Sequence, residues 1–167
     1  MKNIYLIGFM GTGKSTVTRE LVTRMQAKCI EMDELIEEQQ QMAITDIFEK
    51  YGESHFRDLE TDLLRLLGKE QNLVVSCGGG SVLRDENVAL MKENGCIVLL
   101  TATPETVYER VKHSTNRPVL NGNMNVTYIK GLMEKRRARY ESVADMCVAT
   151  DGRTIDEICT EILTQMN

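Results

Sequence analysis

The chain has 167 residues, a formal net charge of −5, 42% hydrophobic and 27% charged residues, two prolines and no tryptophan. Such a length suits one domain that buries roughly 70% of its unfolded surface, and the acidic balance argues against nucleic acid as a main partner. No apolar run approaches the ~20 residues of a membrane span, and Met1-Lys2-Asn3 runs straight into an apolar strand without a signal-peptide pattern, so no membrane association and a cytoplasmic location are expected.

Ile4-Tyr5-Leu6-Ile7 reads as a buried strand. The next eight residues, Gly8-Phe9-Met10-Gly11-Thr12-Gly13-Lys14-Ser15, match G-x-x-x-x-G-K-[ST]. Thr16 to Leu21 then opens a helix with Val17, Leu21 and Met25 on one face. Strand before and helix after is the context a phosphate loop requires. Glycines let successive N–H groups turn inward on phosphate oxygens, and the N–H groups and dipole of the new helix add to that anion site. Gly11, Thr12, Gly13, Lys14, Ser15 and Thr16 are therefore candidates for holding a nucleoside triphosphate. Lys14 would reach the β- and γ-phosphates, and the Ser15 hydroxyl would ligate Mg²⁺.

Cys29-Ile30 looks like a short second strand. Asp33 is placed as the N-cap of a helix that begins with acidic residues, Glu34-Leu35-Ile36-Glu37-Glu38. Helical spacing continues through Ile44, Ile47 and Phe48 until Gly52 breaks it. A further helix is predicted from about Ser54 to Leu67, with Leu59, Leu63, Leu66 and Leu67 on one face. Leu73-Val74-Val75-Ser76 reads as a central parallel strand ending in a second glycine loop, Gly78-Gly79-Gly80. A short helix over Asp85–Met91, a buried strand over Cys96–Leu100 and a helix from Pro104 to about Lys112 follow. From His113 to Met124 the chain is polar and aperiodic, with Pro118 and Gly122, which marks a lid or binding loop. Val126–Val143 returns to helix, Met146–Ala149 is a last strand, and residues 155–166 close the chain as an amphipathic helix.

Five apolar strands alternating with helices predict a single α/β domain over 1–167: a five-stranded parallel sheet covered by helices on both faces, plus a lid loop. Its ligands belong beyond the carboxyl ends of the strands. The five cysteines form no C-x-x-C and are expected to be reduced, buried packing residues. The ten methionines are expected in the core.

Phosphate loops serve motors, GTPase switches and small-molecule kinases. A guanine-reading Asn-Lys-x-Asp is absent, and no strand ends in four apolar residues followed by Asp, the usual carboxylate of motor ATPases. A lid carrying Arg117 suits a kinase that must exclude water from the γ-phosphoryl group.

Taken together, the phosphate loop, Glu31-Met32-Asp33, Phe56-Arg57, Gly78-Gly79-Gly80, Asn116-Arg117-Pro118 and Lys135-Arg136 resemble the shikimate kinases in order and spacing over essentially the whole chain. The triple glycine and the Arg-Pro lid are the more specific marks. That resemblance implies a fold of the nucleoside-monophosphate-kinase type, with a substrate-binding helical region at about 33–60 and a lid at about 113–124. It implies phosphoryl transfer from ATP, with Mg²⁺, to the 3-hydroxyl of shikimate, a step toward aromatic amino acids, by a chain expected to act as a monomer.

By the same resemblance Asp33 holds the shikimate hydroxyls, and Arg57 and Arg136 grip its carboxylate, a task suited to the bidentate guanidinium fork. Gly79 and Gly80 contact the substrate through backbone. Arg117 closes on the transferred phosphoryl, and Arg110 and Arg153 flank the adenine. Read without the resemblance, Arg57 is a surface partner of Glu53 or Glu60. Likewise Lys135, Arg136, Arg137 and Arg139 form a solvated face pairing with Glu134 and Glu141. One departure concerns the metal. The family places Asp-x-Asp where this chain has Glu31-Met32-Asp33, so the acid expected to hold Mg²⁺ through water is longer by one methylene. Other readings are a kinase of another hydroxylated acid such as gluconate, and a regulatory domain that binds ATP and shikimate but turns over poorly.

Overall fold

Short apolar runs covered on both faces build the parallel sheet at the centre of the molecule. The computed structural model describes residues 2–112 and 125–167, so the predicted lid, with Asn116, Arg117 and Pro118, lies outside the described residues. The strands are β1 (Asn3–Ile7), β2 (Lys28–Glu31), β3 (Leu73–Ser76), β4 (Gly95–Thr101) and β5 (Met146–Ala149). They pair in the order β2-β3-β1-β4-β5, every pair parallel. Eight helices accompany them among the described residues: α1 (Lys14–Met25), α2 (Met32–Gln40), α3 (Ile44–Tyr51), α4 (Glu53–Leu67), α5 (Asp85–Asn94), α6 (Pro104–Val111), α7 (Val126–Val143) and α8 (Ile155–Met166). None of them is long and apolar enough to cross a membrane.

Side chains alternate across a strand, and β1 shows what that does. Ile4 and Leu6 enter one core with Val17, Leu21, Val74, Val98, Ile158 and Ile162, beneath α1 and α8. Tyr5 and Ile7 enter the other with Phe56, Leu63, Leu64, Leu67, Met91, Ile129 and Tyr140, beneath α4, α5 and α7. From β1 the chain supplies β2 and β3 on one side and β4 and β5 on the other. The carboxyl end of β1 is therefore a switch point, where open parallel sheets bind ligands.

Helix boundaries follow local chemistry. Thr103 and Asn125 cap α6 and α7 by accepting from the N–H groups of Thr106 and Tyr128, and Pro104 occupies the first turn of α6. Gly52, at φ 89° and ψ 167°, lets α3 turn sharply into α4.

Three expectations are corrected. The N-cap of α2 is Glu31, and Asp33 is the second helical residue. The residues Lys28–Glu31 pair with β3 in register, which carries the strand up to the helix and leaves no room for a separate cap at Asp33. On α4, Leu66 is 54% exposed while Leu64 and Glu60 are buried, because the buried face is centred on Phe56, Glu60, Leu63, Leu64 and Leu67 rather than on the leucines alone. Lastly, only Cys77 and Cys159 are buried, whereas Cys29 and Cys147 are exposed. Those two sit on β2 and β5, the edges of the sheet. All five thiols are free.

Candidate active site

The loop after β1 is shaped by glycines that no other residue replaces. Gly8 has φ 145°, and a Cβ there would lie 2.5 Å from the Leu100 carbonyl oxygen. Gly13, at φ 94° and ψ 18°, is the N-cap of α1. Inside the loop the buried Thr12 hydroxyl donates to the Phe9 carbonyl at 2.7 Å. Lys14 folds back over the loop, its Nζ donating to the carbonyls of Gly8 at 2.8 Å and Phe9 at 3.1 Å. Ser15 and Thr16 are exposed in the first turn of α1. The Ser15 hydroxyl meets Glu31 Oε2 at 3.2 Å, so the longer acid at position 31 spans the distance from the end of β2 to the phosphate loop.

β3 delivers the second glycine loop next to this one. Buried Cys77 marks the junction: burial pushes its thiol well up, Lys14 pulls against that, and Glu60, Asp33 and Glu31 add to it. Four ionisable groups from α1, α4, α2 and β2 thus converge on the end of one strand. A Cβ on Gly78 would come within 2.7 Å of Asp33 Oδ1 and 3.2 Å of Glu60 Oε2. At Gly79 the nearest atoms would be Arg136 Nη1 at 3.0 Å and the Tyr140 hydroxyl at 3.6 Å, and at Gly80 a Cβ would overlap the Arg57 guanidinium. Three bare backbone positions are therefore packed against Asp33, Arg136 and Arg57 in turn. The absence of side chains makes room for those groups.

Arg57 and Glu60 lie on one face of α4. Arg57 Nη1 bonds Glu60 Oε1 at 2.7 Å, and Nη2 bonds Glu53 Oε1 at 3.2 Å, so both surface partners read from the sequence are present. Only one of them is on the surface, since Glu60 is 1% exposed. Its other carboxylate oxygen accepts from Ser81 Oγ at 3.2 Å. Burial raises the Glu60 carboxyl above its ordinary value, against the pull of Arg57 and Ser81, and nearby Asp33 adds to the rise. For Arg57, burial works against the charge, but Glu60 and Glu53 more than reverse this. The guanidinium also stands 5.4 Å from the Phe56 ring centroid and 6.0 Å from that of Phe48, two rings in edge contact at 5.0 Å.

The basic cluster of α7 divides by partner. Arg137 is the solvated member, pairing with Glu141 at 3.1 Å and Glu134 at 3.6 Å. Arg139 Nε donates to the Val82 carbonyl at 2.6 Å and its Nη2 to Asp85 at 2.8 Å. Lys135 is exposed. Only Arg136 turns to the glycine loop.

At the other edge, Arg110 Nη1 bonds the Gly11 carbonyl at 2.9 Å and Thr150 Oγ1 at 3.2 Å, which ties α6 to the phosphate loop. Arg153 is turned onto α8, with the Ala149 carbonyl and Glu161 as partners. A cavity of about 310 Å³ lies between α6 and α7, lined in part by Phe9, Thr12, Leu100, Pro104, Met133 and Tyr140. Asp33 and Arg57 do not line it.

Reading the sequence alone missed Glu60, Ser81 and Tyr140 as parts of this constellation. A signal existed for Glu60: a charged residue in the middle of an otherwise apolar face of α4 is rarely buried without a partner. Asn87 and Thr61 left none. Both are buried, and Thr61 Oγ1 bonds Asn87 Oδ1 at 2.6 Å while Asn87 Nδ2 donates to the Ser81 carbonyl at 2.9 Å, bracing the loop against α4.

Among the described residues no group of three or more His, Cys, Asp or Glu side chains is arranged to hold a metal. Mg²⁺ needs no such cage, because it keeps several waters and binds through one or two protein oxygens together with substrate phosphates. The Ser15 hydroxyl beside the Glu31 carboxylate meets that requirement.

A phosphate loop opening a helix at the switch point of a five-stranded parallel sheet, beside a glycine turn flanked by a carboxylate and two guanidinium groups, defines a phosphate-loop kinase of small molecules. The family model for shikimate kinase matches residues 10–167. The shikimate kinase of Thermodesulfovibrio yellowstonii is 42% identical over 165 residues, covering 99% of this chain and 95% of that one. That of Persephonella marina is 44% identical over 163 residues, covering 98% of each. The structure of shikimate kinase from Acinetobacter baumannii in complex with shikimate superposes with a TM-score of 0.92 at 32% identity, covering 99% of this chain and 93% of that one. The chain belongs to the shikimate kinase family.

Proposed function

We propose that this protein transfers the γ-phosphoryl group of ATP to the 3-hydroxyl of shikimate. The observation that carries the reading is the convergence of Asp33, Arg57 and Arg136 on three consecutive glycines next to a phosphate loop. A small hydroxylated carboxylate is the ligand that such a set fits. Two guanidinium groups suit its carboxylate at one end, an acceptor carboxylate suits its hydroxyls at the other, and bare backbone permits close approach between them.

In this reading the N–H groups of Gly11–Thr16 and the Lys14 ammonium hold the phosphates, Ser15 and Glu31 hold Mg²⁺, and Arg110 and Arg153 flank the adenine. The metal, when bound, neutralises charge on the β- and γ-phosphoryl oxygens. Arg57 and Arg136 fix the ring of shikimate so that its 3-hydroxyl lies against Asp33. The hydroxyl oxygen bonds to the γ-phosphorus as the bridging bond to ADP breaks, its electron pair leaving with ADP, and the hydroxyl proton passes to the Asp33 carboxylate. Arg117, from the segment outside the described residues, is assigned to the charge on the transferred group. The protein does little covalent chemistry here, so rate comes from positioning and electrostatics.

A coupled ADP-release assay with shikimate, quinate and gluconate tests the proposal. ADP release with shikimate at a kcat typical of kinases is the expected result. Release with gluconate but not shikimate overturns the substrate, and binding of ATP and shikimate without turnover overturns the activity.

A further inference from the structure

We infer that Tyr140 is a positioning residue that couples the carboxylate-gripping Arg136 to the backbone of the glycine loop. This rests on the substrate reading above. Tyr140 lies one helical turn after Arg136 on α7, and its ring is buried in the core shared with Phe9, Ile129 and Val143. At its far end the hydroxyl donates to the Gly79 carbonyl at 2.6 Å. Arg136 Nη1 reaches the same place, since a Cβ on Gly79 would lie 3.0 Å from it and 3.6 Å from the Tyr140 oxygen, and Arg136 opposes the rise that burial gives the phenol. A guanidinium has only donors to offer, so the Tyr140 oxygen gives its proton to the loop and turns its lone pairs to the side that Arg136 occupies. One buried oxygen thus faces both.

The consequence reaches past Gly79. Peptide units are trans throughout the described residues, and in a trans unit the C=O and the following N–H point in opposite directions. A Gly79 carbonyl aimed at Tyr140 therefore aims the Gly80 N–H away from α7, on a loop whose next Cβ position abuts Arg57. Glycine peptides turn over easily, since neither neighbouring residue carries a Cβ to oppose it. Without the Tyr140 hydroxyl, nothing on α7 would hold this plane. Arg139 does not substitute for it, because its bonds to the Val82 carbonyl and Asp85 lie beyond the glycines. Tyr140 acts through Arg136 and the Gly79–Gly80 peptide and touches no reacting atom.

The test is Tyr140→Phe, which removes one oxygen and keeps the ring, alone and combined with Arg136→Ala. In the single variant KM for shikimate should rise roughly tenfold, as expected for a lost hydrogen bond to a charged group, with KM for ATP unchanged. On the Arg136→Ala background the same substitution should have a clearly smaller effect on KM for shikimate, the part carried by the Gly79–Gly80 peptide alone, because partners in one network are not additive. An unchanged KM in the single variant overturns the inference. So does an equal effect on ATP and shikimate, or a full effect in the absence of Arg136, each of which marks a merely structural role. If Tyr140→Phe does not fold, circular dichroism shows it, and the removal of one oxygen has then proved structural, which also overturns it. A wild-type protein that does not phosphorylate shikimate refutes the substrate assignment instead, and that is seen before any variant is made.

Discussion

Arg57 and Glu60, three residues apart on α4, form an ion pair at 2.7 Å in which the carboxylate is almost wholly buried and the guanidinium is turned toward Gly80. Breaking such a pair leaves an uncompensated buried charge, so the acid also constrains where the arginine can be. In the proposed reading the arginine is thereby held ready for a second carboxylate rather than left to search for one, which lowers the ordering cost of binding.

Glu60→Gln should flatten the pH dependence of stability. The folded carboxyl titrates above its ordinary value of 4.5 because it is buried. As pH rises between the unfolded and folded values, the native state holds more protons than the unfolded one, so stability falls with pH. The contribution is full below the unfolded pKa and lost as pH rises through the folded pKa. Glutamine does not titrate. Urea unfolding at a series of pH values from about 4 to about 7 should therefore show the variant gaining on the wild type as pH rises. A difference that stays constant with pH counts against the shifted carboxyl.

Arg57→Ala and Asp33→Asn should fail in different kinetic parameters. Arg57 is assigned to the carboxylate of shikimate, remote from the reacting hydroxyl, so its loss should raise KM for shikimate with little change in KM for ATP. A charge-assisted contact of this kind is worth about 2–5 kcal/mol, or roughly thirty- to several-thousand-fold. Asp33→Asn keeps the shape but removes the proton acceptor, and the loss, about 10²–10⁴-fold, should fall mainly on kcat. If Arg57→Ala weakens both substrates alike, or Asp33→Asn moves only KM, the two roles are misassigned.

Gly80→Ala should imitate Arg57→Ala. The added methyl would occupy the space of the Arg57 guanidinium, and the end of a side chain yields more readily than backbone. The arginine is displaced from its bond to Glu60 while the loop keeps its course. We expect KM for shikimate to rise by about tenfold or more, with the ATP parameter unaffected. Wild-type kinetics in this variant would mean that Arg57 does not need its observed position.

Lys14→Ala should lower kcat by about a hundredfold or more and leave the circular dichroism spectrum of the folded protein unchanged. The ammonium donates to the carbonyls of Gly8 and Phe9 at the rim of the phosphate loop, so its work is on bound phosphate rather than on the core. Retention of more than about a tenth of wild-type kcat would place the phosphate-binding role elsewhere.

Much of the architecture was legible because it depends on short-range rules. The apolar runs Leu73–Ser76 and Met146–Ala149, Pro104 in the first turn of α6, and the strand–glycine loop–helix sequence from Ile4 to Leu21 each depend on neighbouring residues, and each stands where expected. The phase of α4 was less legible. Counting leucines put Leu66 inside, whereas the packing of α4 on β3 and α5 buries Leu64 and admits Glu60. Edge strands misled in the same way, since only the pairing order shows that Cys29 and Cys147 lie on strands with one open side.

By itself the sequence determined the five-stranded α/β frame and the phosphate loop with Lys14 and Ser15, because periodicity and loop spacing act over a few residues, while Asp33, Arg57 and Arg136 were singled out by resemblance to a family. Tertiary structure decided which of the clustered charges faces the glycine loop. Arg136, Arg137 and Arg139 have the same chemistry and near-identical sequence surroundings, and only the rotation of α7 against the loop after β3 sends one to Gly79, one to solvent and one to Val82. The burial of Glu60 beneath Arg57 and the bond of Tyr140 to the Gly79 carbonyl arise the same way, from helices separated in sequence meeting over one glycine turn, where a few tenths of an ångström separate a hydrogen-bonded partner from a surface charge.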